Sequence, residues 1–348
     1  MRKCYFFLAL IAMPCFTFSQ TTLNIKALDS ALTYLNQTHR FNGTMLYADH
    51  GTVFKKSFGI NGLKDEKPLT SSSAFNLASM SKQFFAMCVM ILKEEGKLNF
   101  NDDIRKYLPE LPYEHITIRN LLTHTSGIPE YFDVYMQYKN TLDTLTNEKL
   151  VALYAKVKPP LDFLPGSKWQ YCNTNYTFLV SIIERAAKMP IVDFFNKKIV
   201  TPLKLKNTYI YTINMPAVPA NHVVGFEEKN GKRVQNDLIF FDGIVGDGNI
   251  YSSVEDLYTW EQSLYTEKLV KNETMKEALS PVKLNDGSTY PYGFGWFIRK
   301  ENERFSHTGS WVGFKNIICR HLKNKQSLIV LIAYYCIMLN ININIRAH

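Results

Sequence analysis

The 348 residues carry a formal charge of +9 spread along the chain, which makes a moderately basic protein without the clustered patch that nucleic-acid binding requires; only Arg320 to Lys325 faintly suggests one. Six cysteines without CxxC spacing exclude a visible disulfide framework, and eight histidines that never fall three to five residues apart exclude the usual local zinc signature. No stretch reaches the roughly 18 to 20 consecutive apolar residues of a membrane-spanning helix.

The chain opens with Arg2 and Lys3 before an apolar run from Tyr5 to Met13 and small residues at Thr17 and Ser19, the pattern of a secretory signal over residues 1–19. The expected product is exported, periplasmic or secreted. Ala12-Met13-Pro14 lacks a small residue directly before Cys15, which argues against lipid attachment there. Residues 20–348 are long enough for two packed lobes. Leu23 to Arg40 predicts an amphipathic helix, with Ile25, Leu28, Leu32 and Leu35 on one side. Thr44 to Ala48 and Thr52 to Phe58 flank Asp49-His50-Gly51 and predict a hairpin. The nine apolar residues Phe84 to Leu92 predict a helix buried on most faces, ended near Gly96. Asp102 and Asp103 are placed to start a short helix.

Helical patterns follow at Ile118 to Leu122, Leu150 to Val157, Tyr176 to Ala187 and Val192 to Ile199, separated by Pro159-Pro160, Pro165-Gly166 and Pro202. Ser253 to Tyr265 reads as a further helix. Gly293 to Arg299, Arg304 to His307, Gly313 to Arg320 and Ser327 to Tyr335 read as strands. Sheet residues at both ends predict an α/β lobe from about 20–99 and 241–348, with a mainly helical lobe inserted over about 100–240.

Ser79 and Lys82 stand just before the apolar helix, three apart and therefore on one face. A serine hydroxyl needs a proton acceptor before it attacks, and a lysine serves when desolvation keeps part of it neutral. The alternative is a polar helix start with a solvent-facing lysine. Ser280 to Lys283 matches the same Ser-x-x-Lys spacing, but Pro281 intervenes and no apolar helix follows.

Tyr171-Cys172-Asn173 lies in a turn-like setting before a new helix, unlike the matching spacings Tyr34 to Asn36 and Tyr138 to Asn140. Its tyrosine suits proton shuttling and its asparagine a substrate carbonyl, or both simply satisfy a loop. His307-Thr308-Gly309 ends a predicted strand and leads into Ser310 and Trp311; it suits either strand-wise substrate binding beside an oxyanion donor or an ordinary glycine turn. No Gly-x-Ser-x-Gly elbow occurs, which disfavours an α/β-hydrolase.

In this order the three elements resemble the serine β-lactamase and penicillin-binding-protein superfamily, in the branch of class C β-lactamases, D-alanyl-D-alanine carboxypeptidases and related esterases. Phe75 to Phe84, Glu95 to Leu98, Tyr107 to Glu110, Leu121 to Gly127 and Gly246 to Ser253 carry the likeness further, over about residues 25–332. The resemblance implies an antiparallel sheet flanked by helices and a serine hydrolase. It implies Ser79 as acylated nucleophile, Lys82 and Tyr171 as the proton-transfer pair, and Asn173 as a substrate contact. His307, Thr308 and Gly309 would line the opposite wall, with the N–H groups of Ser79 and Ser310 as the oxyanion hole. No cofactor or metal is implied. The expected partner is a small ester, amide or peptide, with envelope association permitted by the basic charge.

Two departures stand out. Class C β-lactamases generally carry lysine where this chain has His307; an ordinary histidine is mostly neutral at pH 7, so weak or absent β-lactam turnover is expected. After Leu331 the sequence Ile332 to Cys336 replaces the family's usual polar strand end. Asn340 to Ile345 alternates like a strand, so the closing helix of the family reads as shortened or lost.

Overall fold

In the computed structural model, which describes residues 25–39, 41–138, 144–299, 301 and 303–335, the hairpin pattern is realised over β1 (Gly43–Asp49) and β2 (Thr52–Phe58). His50 and Gly51 both take positive φ, 47° and 87°, the two-residue turn geometry whose twist matches flanking strands. The chain returns to this sheet only near its other end, with β3 (Phe297–Arg299), β4 (Arg304–Trp311), β5 (Phe314–His321) and β6 (Gln326–Ile332). The order across the six-stranded sheet is β3-β4-β5-β6-β1-β2, every neighbour antiparallel, and β6 closes onto β1 with Gly43 opposite Ile332.

Alternation assigns the two faces. Met45 and Tyr47 of β1, Ile317 of β5 and Val330 of β6 pack against Leu32, with Leu28 and Leu35, of the Ile25–His39 helix. Ile25, grouped with them by spacing, is 40% exposed. Leu46, Ala48, Ile318, Ile329 and Leu331 face the other way into the main core. At the centre of that core runs the Lys82–Glu94 helix, in which every residue from Lys82 to Leu92 is buried. Phe84 stacks on Trp260 at 4.1 Å, and the Gln83 Oε1 accepts the Trp260 indole N–H at 2.7 Å. Fully burying each such Leu, Phe or Met contributes roughly 1.5–3 kcal/mol. Gly96, at φ 70°, follows the helix end.

The predicted helices fall at Ile118–Leu122, Asn147–Val157, Asn173–Ala187 and Val254–Ser263. Val192 to Ile199 divides into Ile191–Phe195, a π-helical stretch Asn196–Val200 and the short turn Thr201–Leu203. Asp103 caps a 3-10 turn, Ile104–Lys106, accepting from the Arg105 N–H. Unpredicted elements are the helices Tyr131–Tyr138 and Asn272–Ala278 and several short strands, among them Phe226–Lys229 and Lys232–Gln235. The predicted strand from Ser327 to Tyr335 breaks after Ile332, and Tyr334–Tyr335 pairs in parallel with Phe226–Lys229. The signal segment and Asn340 to Ile345 lie outside the described residues. Among those residues, no helix is long and apolar enough to cross a membrane.

Candidate active site

The Phe75–Asn76 strand leads into a 3-10 turn, Ala78–Ser81, from which the Lys82–Glu94 helix continues. Strand and turn are tightly held. The Asn76 Oδ1 accepts the Ala78 N–H at 2.8 Å, the Asn76 carbonyl accepts from Asn316 Nδ2 at 2.8 Å, and Leu77 N–H donates to the Ile250 carbonyl at 2.8 Å. Ala78 takes φ 48°, a left-handed conformation that a residue with a Cβ adopts only when its surroundings impose it. From Ser73 to Leu92, Ser79 alone is not buried. The folded core thus presents one side chain at this point, and it is a hydroxyl.

Lys82 is fully buried. Its Nζ lies 3.3 Å from Ser79 Oγ and donates to Asn173 Oδ1 and to the Asp247 carbonyl, each at 2.9 Å. Burial lowers its pKa to about 8 from 10.5, against the opposing pull of Asp247, Glu130 and Cys172. Ser81 faces elsewhere: its Oγ accepts the Ile250 N–H at 3.2 Å. The competing match at Ser280 to Lys283 is not a helix pair, since Ser280 Oγ donates to the Lys276 carbonyl and Lys283 lies on a short strand.

Tyr171 places its ring 4.9 Å from the Lys82 ammonium. Its buried hydroxyl makes no hydrogen bond of good geometry. Burial holds the phenol well above its ordinary pKa, with Ser79 the neighbour that eases its ionisation, so it stays protonated at neutral pH. The ring is backed by His124, at 4.3 Å between centroids. His124 is buried and its Nδ1 accepts the Cys172 N–H at 3.2 Å; burial, then Lys82, keeps its pKa well below the usual value. Asn173 begins its helix, and its amide is gripped on both sides: Oδ1 by Lys82, Nδ2 by Glu130 at 3.1 Å.

The opposite wall is β4, which runs on through His307 to Trp311, beyond the predicted end of that strand. The glycine is therefore a strand residue and not a turn. A Cβ on Gly309 would stand 2.1 Å from the Leu77 carbonyl oxygen, so only glycine lets this strand lie against the Ser79 turn. Thr308 and Ser310 are exposed. β3 pairs only with Arg304 to Ser306, leaving His307 onward outside that pairing. His307 is buried. Its Nδ1 lies 2.6 Å from the Thr308 carbonyl, so Nδ1 donates and Nε2 accepts from the Tyr292 hydroxyl at 3.2 Å. Burial and Lys82 push its pKa down to about 3, which makes it neutral throughout the working range.

Glu130 and Asp247 were not singled out by spacing. Glu130 follows Gly127-Ile128-Pro129, and its Oε2 accepts from both the backbone N–H and Nδ2 of Asn173. Asp247 receives Lys82 on its carbonyl and the Tyr131 hydroxyl on its carboxylate at 3.0 Å. Asp247 lies within the Gly246–Ser253 segment whose likeness to the family was visible, whereas Glu130 lies three residues beyond the Leu121–Gly127 segment; neither position advertises a role.

A six-stranded antiparallel sheet packed against the central Lys82–Glu94 helix, with a glycine-bearing strand against the serine turn, is a β-lactamase-type fold. The chain belongs to the family described as Beta-lactamase, whose model matches residues 28–333. Among its relatives is penicillin-binding protein 4* of Bacillus subtilis, 32% identical over 320 residues, with 88% of this chain and 71% of that one covered. Solved structures with the same fold include a penicillin-binding protein from Bacillus halodurans (TM-score 0.77, 21% identity, 90% and 96% covered). A penicillin-binding protein homologue from Pyrococcus abyssi is similar at TM-score 0.77 and 25% identity, with 89% and 74% covered.

Proposed function

We propose that this chain is a serine hydrolase that cleaves an ester or amide through an acyl-enzyme on Ser79. The observation that carries the reading is the set of partners around Lys82 Nζ. A neutral amine has two N–H donors and one lone pair. The Asn173 and Asp247 carbonyls can only accept, so they take the two donors, and the lone pair is left for Ser79 Oγ. Ser79 then attacks the substrate carbonyl carbon as its proton passes to Lys82. Tyr171, protonated and beside Lys82, relays a proton to the leaving group. The N–H groups of Ser79 and Ser310 hold the oxyanion, where one donor typically accounts for about 10²–10³ in rate. Water attacks the ester of Ser79 in the second half-reaction, with Lys82 again accepting a proton.

The first nineteen residues support an exported protein, periplasmic or secreted, with residues 20–348 forming one hydrolase domain of two lobes. A neutral His307 offers no lasting cation for a substrate carboxylate, which supports weak β-lactam turnover at most. A peptidase of the penicillin-binding-protein type is the second reading. It is favoured by the edge of β4 beyond Ser306, suited to strand-wise pairing with a peptide.

The test compares wild type and Ser79→Ala on a short-chain p-nitrophenyl ester, a D-alanyl-D-alanine peptide and a chromogenic cephalosporin, with intact mass read for an adduct. Serine-dependent ester or peptide cleavage with little cephalosporin turnover is expected. Equal rates for a folded wild type and the variant on every substrate would overturn the reading.

A further inference from the structure

Glu130 is held beside Asn173 by three N–H donors. Its Oε2 accepts the Asn173 backbone N–H at 2.8 Å and Asn173 Nδ2 at 3.1 Å, and its Oε1 accepts the Tyr131 N–H at 3.0 Å. Asn173 starts the Asn173–Ala187 helix, where the preceding Cys172 supplies no side-chain cap. Glu130 therefore caps this helix from a separate segment, where negative charge is favoured.

The same contact fixes which way the Asn173 amide faces. Once ionised, above about pH 7, the carboxylate only accepts, so it selects Nδ2 and turns Oδ1 toward Lys82. In the flipped amide, Nδ2 would donate to the Lys82 lone pair and occupy the position from which the lysine takes the serine proton. We propose that Glu130 is a positioning residue for acyl transfer: through the Asn173 amide it makes neutral Lys82 turn its lone pair, and not an N–H, toward Ser79. This rests on the reading of Ser79 as nucleophile.

The charged and titratable groups facing Lys82 are Glu130, Asp247 and Cys172, with His124 and His307 and the rings of Tyr171 and Tyr176. Glu130 is itself faced by Asp247 and Lys82; burial pushes its carboxyl up to about 7, against the Asn173 N–H. The charges of Glu130 and Lys82 thus favour each other.

The experiment measures pre-steady-state release of p-nitrophenolate from p-nitrophenyl acetate, and phosphonylation of Ser79 by a fluorophosphonate reagent, from pH 6 to 10. Wild type, Glu130→Ala, Glu130→Gln and Ser79→Ala are compared, with thermal melting for each. In Glu130→Ala the plateau rate is expected to fall by about 10²-fold, the lower end of what a positioned general base supplies, with KM little changed. At the same time its rising limb is expected to move to lower pH, because the charge of Glu130 stabilises the Lys82 ammonium. General loosening would instead admit water and move the limb up toward the ordinary lysine value. Glu130→Gln keeps the shape but sets an N–H against either Asn173 or Tyr131, so a smaller fall and the same direction of shift are expected; it decides the matter if Glu130→Ala does not fold.

An unchanged rate and limb in a folded variant, or a limb moved upward, overturns the role of Glu130. If Ser79→Ala reacts like wild type, or wild type reacts with neither reagent, the nucleophile reading falls and this inference with it. Serine-dependent reaction with unaffected Glu130 variants removes only the latter.

Discussion

Replacing Gly309 with alanine adds one methyl group at the closest approach between the two walls of the site. Its Cβ would lie 2.1 Å from the Leu77 carbonyl oxygen, 3.2 Å from the Leu77 carbonyl carbon and 3.3 Å from Ala78 Cβ. Two of these three atoms are backbone, so no side chain can rotate away. An ordinary carbon–oxygen contact needs roughly 3.3 Å, so β4 must retreat by about 1 Å from the turn that carries Ser79. Misplacement of that size costs about 10² in rate, and loss of one oxyanion donor costs about 10²–10³. Overpacking adds about 1–3 kcal/mol of destabilisation. Burst kinetics on a p-nitrophenyl ester read the acylation rate, and urea titration reads the stability. A folded Gly309→Ala enzyme with wild-type acylation would refute the reasoning, since the strand would then have no part in holding the transition state.

Further outcomes follow from Lys82 and from the core. With the lysine base depressed to about 8, the neutral fraction is about 1% at pH 6, about 10% at pH 7 and half at pH 8, so acylation should rise about 50-fold from pH 6 to 8 and level off above 9. A flat profile would count against the lysine as the base, and a midpoint near 10 would count against its lowered pKa. Arg320 on β5 and Glu261 on the Val254–Ser263 helix form an ion pair at 3.1 Å with both side chains wholly buried. Glu261→Leu should cost about 3–5 kcal/mol by leaving the guanidinium unpaired, whereas Glu261→Leu with Arg320→Met should recover most of it; chemical denaturation of both variants checks this. Cys88 and Cys172 are buried with thiol pKa values pushed up, so thiol reagents should label neither until the protein unfolds.

Much of the framework was legible because its signals are local. The nine-residue apolar run gave the central helix, and Asp49-His50-Gly51 gave the hairpin. The spacing of Ser79 and Lys82 forced them onto one side, and the structure brings Tyr171 and Asn173 to the same lysine. Glu130 was not legible. Its function depends on meeting Asn173 across forty-three positions, and nothing in a glutamate after a proline announces such a meeting. The predicted end of β4 at His307 was too early for a related reason: Gly309 fits a close strand approach or a turn equally well until the Leu77 carbonyl is seen against it. The strands at Phe226–Lys229 and Lys232–Gln235 carry too many charges to display a buried alternation. Among the histidines, His307 was legible as a mostly neutral part of the site wall, but nothing in the sequence showed that His124 backs the Tyr171 ring.

The pairing of β1 with β6 also sets an order of assembly. A growing chain makes β1, the nucleophile turn and its helix early, but β1 has only β2 as a partner until Gln326–Ile332 has been synthesised. The His307–Ser310 wall is likewise made more than two hundred residues after Ser79. A nascent chain therefore carries Ser79 and Lys82 without the strand that completes their surroundings. The surroundings of Ser79 are therefore completed long after Ser79 itself has been made, when His307–Ser310 and its neighbouring strands join the sheet.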